Sequence, residues 1–343
     1  MICPVPKNDY DKILLAHGGG GTLMHKLIDV LFKSNFENDI LSQGNDSAII
    51  EINGTKFAFT TDSYVVQPLF FPGGDIGSLA INGTINDLCV SGAKPLYISV
   101  GFIIEEGFPV EELEKIVISM RKTADNAKIK IVTGDTKVIN KKSGDGIYIN
   151  TSGIGIVYDG VDISVNKIKP GDKIILSGRI ADHGIAVMSA RENLEFETEI
   201  KSDCAALNGL VDEIFSVSKN IKIMRDPTRG GIASTLNEIA KSSGLGIKIF
   251  EEKIPVSEPV RGACEILGFD PMYVANEGKL IAFVSEKDAE KVLLKMQSHP
   301  LGKESQIIGE VTSENPSRVI MKTVIGSSRI VDMISGEQLP RIC

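Results

Sequence analysis

The chain has 343 residues, of which 42% are apolar and 24% charged, and its formal net charge is −8. This is a globular composition, long enough for two domains that each bury a core. The acidic balance argues against a nucleic-acid binder, which needs a basic face, but permits a nucleotide site built from backbone N–H groups.

In chain order, the first distinctive stretch is His17-Gly18-Gly19-Gly20-Gly21. Four consecutive glycines oppose a helix interior and suit either a hinge or a loop whose backbone approaches a phosphate. Leu23, Met24, Leu27, Ile28 and Leu31 then repeat at helical spacing, so the glycines feed a helix N-terminus, where anions are favoured. Strands are expected over Ser47 to Ile52 and Lys56 to Thr61, with Asp46 before the first and Asp62 after the second. Two such acids are either turn formers or a pair converging on a metal. A helix from Ile76 to Val90 carries Asn86-Asp87 among small and apolar neighbours, where a polar pair needs internal hydrogen bonds or a ligand. A buried strand over Leu96 to Ile104 and an amphipathic helix over Val110 to Ala127 follow. The strand Ile129 to Val132 then delivers Asp135, Thr136 and Lys137, putting an acid and a base at a sheet edge, and Ile147 to Val157 adds a further strand. Asp87, Lys94 and Pro95 interrupt the most apolar long region, Leu79 to Ile104, so it does not read as a membrane span.

Asp159-Gly160 and Lys169-Pro170-Gly171-Asp172 are turn signals that mark a boundary. Beyond it the pattern predicts a strand over Lys173 to Ser177, a helix opening at Asp182-His183-Gly184, and another from Asp203 to Val217. Arg225 and Arg229, with Gly230-Gly231 leading into a helix, form a cationic edge suited to anions. Glu277 immediately precedes the strand Lys279 to Ser285 and therefore stands at a strand edge. The expected division is 1–160, 161–334 and a tail, 335–343, ending in Pro340-Arg341-Ile342-Cys343. Five widely spaced cysteines without a C-x-x-C form neither a disulfide framework nor a zinc pattern, and a reducing cytoplasm fits them. The nine tail residues, extended, reach roughly 30 Å, enough to carry Cys343 between a domain surface and a cleft.

These stretches resemble, in order and over nearly the whole chain, the HypE family of hydrogenase maturation proteins. The resemblance is carried by His17 to Gly21, Thr61 to Val65, Pro68 to Gly74, Asn86-Asp87, Val132 to Val138, Asp182 to Gly184, Arg225 to Gly231, Ala275 to Leu280 and Pro340 to Cys343. The terminal tetrapeptide is the most specific. The others are partly shared with a wider PurM-like superfamily of aminoimidazole ribonucleotide synthetases, selenophosphate synthetases and thiamine-phosphate kinases. Asp46-Ser47 departs from that superfamily, which often has two adjacent aspartates there.

The resemblance implies an α/β (α+β) fold of two domains. The N-terminal domain would pair with a second subunit through a shared β-barrel to make a homodimer, and the C-terminal domain would be an α/β sandwich. It implies that a partner, HypF, places a carbamoyl group on Cys343 and that ATP drives its dehydration to a thiocyanate. The cyano group would pass to iron on a HypC–HypD complex, for [NiFe]-hydrogenase. It implies Lys137 and Glu277 as the proton-handling pair beside Cys343. His17, Gly18, Gly19, Gly20, Thr136, Arg225 and Arg229 would contact ATP, and Asp46, Asp62, Asp87 and Asp135 would hold Mg²⁺ with it. Two alternatives remain at this stage: a superfamily relative that phosphorylates a free metabolite, and a thiol carrier without enzymatic activity.

Overall fold

A computed structural model describes residues 11–194 and 198–334; the expectations for Cys343 and its tail lie outside the described residues. Strands β1 (Ala48–Ile52) and β2 (Thr55–Tyr64) form a hairpin through Asn53-Gly54, both at positive φ, as a two-residue turn between twisted strands requires. A short hairpin of β3 (Phe70–Phe71) and β4 (Gly74–Asp75) follows. With β5 (Ala93–Glu105), β6 (Lys130–Ile139) and β7 (Ile147–Val157), the first pair builds an open five-stranded sheet in the order β1-β2-β7-β5-β6. No sheet of the described chain closes into a barrel.

Two strands run longer than the apolar pattern indicates, because pairing continues through polar residues. β2 pairs with β7 as far as Tyr64, so Asp62 lies inside a strand, opposite Thr151. β6 stays parallel to β5 through Ile139, so Asp135, Thr136 and Lys137 lie within an edge strand and not at a strand end.

The N-terminal glycines lead into α1 (Thr22–Leu27), which widens to π-type turns over Ile28–Lys33 and ends in a turn of helix, α2 (Ser34–Phe36). This replaces the single regular helix that the spacing suggests. Helix α3 (Ile76–Val90) organises the molecule. The Asp75 carboxylate accepts from the N–H groups of Gly77 (2.7 Å) and Ser78 (3.1 Å) and so caps it. It is buried nearly all round, packed on β2, β5 and β7 and, on its other sides, on α4 (Val110–Ala127), α6 (Asn208–Val217) and β9 (Ile221–Arg225). That is why its apolar residues show no single stripe.

The second half forms a seven-stranded sheet, β14-β13-β10-β12-β8-β11-β9, from β8 (Lys173–Leu176), β9, β10 (Gly246–Phe250), β11 (Ile281–Val284), β12 (Gln306–Thr312), β13 (Val319–Lys322) and β14 (Ser328–Val331). Its helices are α5 (Asp182–Glu192), α6, α7 (Gly231–Ser243), α8 (Glu258–Leu267) and α9 (Glu286–Gln297). Helix α6 starts later than its apolar pattern because the preceding residues join the two halves. Leu207 N–H donates to Asn86 Oδ1 (2.9 Å), and Asp203 Oδ1 accepts from Glu277 N–H (3.1 Å). His183 neither caps α5 nor reaches the cleft described below; it is fully buried, with Nδ1 2.8 Å from Ser202 Oγ. No described helix is long and apolar enough to cross a membrane.

Candidate active site

Helical spacing puts Gly83 and Asp87 on one face of α3 and Asn82 and Asn86 on the next. The first face opens into a cleft of about 420 Å³ between the two halves; the second seals the junction behind it. Asn86, 1% exposed, donates to the carbonyls of Ala205 (3.1 Å) and Glu277 (3.2 Å) while accepting from Leu207. The Asn-Asp pair thus satisfies both of its sequence readings: Asn86 is spent on internal hydrogen bonds and Asp87 faces a site.

The cleft brings together Gly20, Asp46, Asp62, Asp87, Arg225, Arg229 and Glu277 among the expected residues. Asp87 Oδ2 accepts from Thr60 Oγ1 at 2.8 Å. Burial, and then the charges of Asp226, Asp46 and Asp62, push its pKa well up. Asp46 is raised mainly by burial, against the pull of Arg225, whose Nη1 lies 2.9 Å from Asp46 Oδ2. The same guanidinium donates to Gly44 O at 2.7 Å, so Arg225 clamps the two halves. Glu277 is 4% exposed, and burial with the charges of Asp226 and Asp203 raises its pKa well above the carboxylate range; Arg229 opposes them.

The glycine loop is fitted to this site. A Cβ at Gly20 would stand 2.6 Å from the Arg229 carbonyl oxygen, so only glycine permits the approach. His17, Gly18 and Gly19 do not border the cleft; His17 Nδ1 instead accepts from Leu14 N–H at 3.0 Å.

Asp135, Thr136 and Lys137 also stay outside the cleft of their own chain. The register explains it. Asp62 is opposite Thr151, Thr151 opposite Val100, and Val100 beside Gly134. Three strand spacings of about 4.8 Å separate the rows. Asp62 also alternates with Ala58, Thr60 and Tyr64 on the face that covers α3. Asp135 and Lys137 register with Gly101 and Ile103, on the other, uncovered face.

Sequence reasoning missed Asp226, which lies between the two arginines it singled out. Burial and the like charge of Asp46 push its pKa up to about 8. It also missed Tyr64 and Thr60, which follow from the same β2 alternation as Asp62. Among the described residues, no three His, Cys, Asp or Glu side chains converge closely enough to cage an ion unaided. Several carboxylates that raise one another's pKa are nevertheless a fitting donor set for Mg²⁺. That ion is typically held by one or two carboxylates, with waters and nucleotide phosphates completing its shell.

Comparison with known proteins places this geometry. Residues 44–157 match the N-terminal domain, and residues 169–322 the C-terminal domain, of AIR synthase related protein. The chain is therefore a two-domain α/β protein of that PurM-like, ATP-binding class. The Carbamoyl dehydratase HypE of Rhizobium leguminosarum bv. viciae is 53% identical over 97% of this chain and 95% of its own length. That of Escherichia coli (strain K12) is 44% identical over 97% of this chain and 100% of its own. A solved HypE–HypF complex superposes with TM-score 0.86 at 52% identity, covering 90% of this chain and 99% of that one. HypE in complex with ATP gives TM-score 0.82 at 45% identity, covering 97% and 100%. The chain belongs to the HypE family of hydrogenase maturation proteins. Thiamine monophosphate kinase from Aquifex aeolicus, with TM-score 0.64 at 19% identity over 88% of this chain and 97% of that one, shares the fold.

Proposed function

We infer that the chain is an ATP-dependent carbamoyl dehydratase acting on the thiol of its own last residue, Cys343. One observation carries this reading beyond family membership. The carbonyl of Ile334, the last described residue, accepts from both Thr22 N (3.0 Å) and Thr22 Oγ1 (3.2 Å). Thr22 stands two residues after Gly20, which lines the cleft, so Ile334 lies near the cleft, and nine further residues could span about 30 Å if extended.

The reaction balances on groups already named. The carbamoyl oxygen on Cys343 takes the γ-phosphoryl group of ATP, and ADP leaves. Loss of the nitrogen protons then expels phosphate and leaves S–C≡N. Glu277, its proton affinity raised by burial, is the acceptor nearest in kind to this task once ionised. Arg229 supplies positive charge at the cleft. Asp46, Asp62, Asp87 and Asp226 would hold Mg²⁺, which when bound neutralises phosphate charge. In this reading residues 1–160 bind ATP and pair subunits, 161–334 complete the cleft, and 335–343 carry the acceptor. HypF charges Cys343 and a HypC–HypD complex accepts the cyano group, in the cytoplasm.

A homodimer supplies the missing lysine. The face of the five-stranded sheet away from α3 leaves Phe59, Tyr97 and Ile103 about half exposed. A second copy laid on this face buries them in a shared barrel. It also brings Asp135 and Lys137 towards the partner's cleft, whose rim at Thr61 and Ser63 belongs to that same face.

The test is mass spectrometry of the C-terminal peptide. After carbamoylation by HypF, addition of Mg-ATP should make the adduct on Cys343 lighter by one water. An unchanged mass in protein that binds ATP would sink the reading. A free-metabolite kinase would keep its activity when Cys343 is deleted.

A further inference from the structure

We propose that the hydroxyl of Tyr64 is a hydrogen-bonding group for the carbamoyl substrate, holding it in the cleft for phosphoryl transfer and proton loss. The proposal rests on the dehydratase reading and adds a substrate contact to it.

Tyr64 is 4% exposed and lines the cleft, yet its buried hydroxyl has no hydrogen-bond partner among the described residues. Such groups are rare in folded proteins, and at a cleft they point to a ligand. The Thr84 hydroxyl is near enough to bear on the phenol, but no contact between them meets hydrogen-bond geometry, and the bond Thr84 does make is to Thr151. Helix α3 makes room for the phenol: a Cβ at Gly83 would fall inside contact distance of the Tyr64 oxygen. Gly83 is in a helix interior, where glycine is unfavourable, so the space serves the oxygen and not the helix. The charged groups facing the hydroxyl are the carboxylates of Asp62, Asp87 and Glu277.

The chemistry of the hydroxyl selects its ligand. Phosphate oxygens are best met by cations, and Arg229 lines the same cleft. A neutral O–H both donates and accepts, which matches an amide presenting C=O and N–H together. Beside Glu277, it would hold that amide with its nitrogen towards the proton acceptor. The tyrosine itself changes no covalent bond.

The experiment is a single turnover of HypF-carbamoylated protein with Mg-ATP. Tyr64→Phe keeps the ring and removes the oxygen. Water loss from the Cys343 adduct should slow at least about ten-fold, as for loss of one positioned donor, while ATP affinity stays within about two-fold. The ADP formed per water lost should rise above that of the unsubstituted protein, because a loosely held amide lets ATP be spent unproductively. Gly83→Ala, which displaces the hydroxyl without removing it, should behave alike. A rate within about two-fold of the unsubstituted protein in both variants overturns the proposal. So does a parallel loss of ATP affinity, which would assign the hydroxyl to the nucleotide. Failure of the unsubstituted carbamoylated protein to lose water overturns the dehydratase reading, and this proposal with it.

Discussion

Asp226 shows how a single side chain sets the resting state of the cleft. Its pKa is pushed up to about 8 by burial and by Asp46, and Asp87 and Glu277 are raised by burial and by neighbouring carboxylates, Asp226 among them. An acid whose folded pKa exceeds its unfolded value holds a proton that the unfolded chain has already lost. Metal-free protein should therefore lose stability as the pH rises from about 4, the unfolded value, towards about 8, and level off above that. Asp226→Asn should make this fall shallower by about 1 kcal/mol per pH unit, part of the ideal slope being lost to solvent at an open cleft. Urea unfolding in EDTA at pH 5, 6.5 and 8 checks it, and equal slopes in the two proteins would refute it. Glu277 is the proposed proton acceptor. Glu277→Gln should bind ATP but slow water loss by about 10²- to 10⁴-fold, the usual worth of a general base. Rapid-quench analysis should then find adduct phosphorylated but not dehydrated.

At the scale of elements, α3 couples the two halves. Behind the Glu277 carbonyl that Asn86 holds, Lys279 pairs with buried Asp203 at 3.0 Å, whose other oxygen holds Glu277 N–H. Asn86 closes the same junction with three hydrogen bonds to Ala205, Leu207 and Glu277. Asn86→Ala strands buried backbone groups, each costing about 1–3 kcal/mol, so a loss of at least about 2 kcal/mol is expected in urea unfolding, together with weaker turnover as Glu277 loosens. An unchanged midpoint would show the junction to be held elsewhere. Most elements of both sheets were legible in their apolar patterns, and so were the acids of β2 and α3. The extent of β6 was not, because an edge strand with an uncovered face carries no burial pattern of its own. Nor was the late start of α6, whose preceding residues serve contacts more than a hundred positions away. Asp226 was masked by the two arginines beside it, and its role depends on acids from the other half of the chain.

For the whole molecule, the question is what Lys137, proposed above to serve the proton-handling step, does on the face of its own sheet turned away from the cleft. In the register, Lys137 stands beside Ile103 with the uncovered apolar residues, while Asp62 faces α3. No rotation of one side chain carries it across the sheet, so the lysine serves either nothing or a second copy. Phe59→Lys with Ile103→Lys would place charges in the middle of that apolar face. The double variant should sediment as a monomer, with each half folded as before by circular dichroism and with dehydration lost. The sharper test mixes two inactive proteins, Lys137→Ala and Glu277→Gln. If each cleft takes its lysine from the opposite subunit, mixed dimers contain one cleft with both groups intact, and subunit exchange should restore dehydration to roughly a quarter of the unsubstituted rate. That figure assumes half of the dimers are mixed and half of their clefts complete, the statistical outcome for closed twofold pairs. If the lysine acted within its own chain, every mixed dimer would hold two defective clefts and no activity would return.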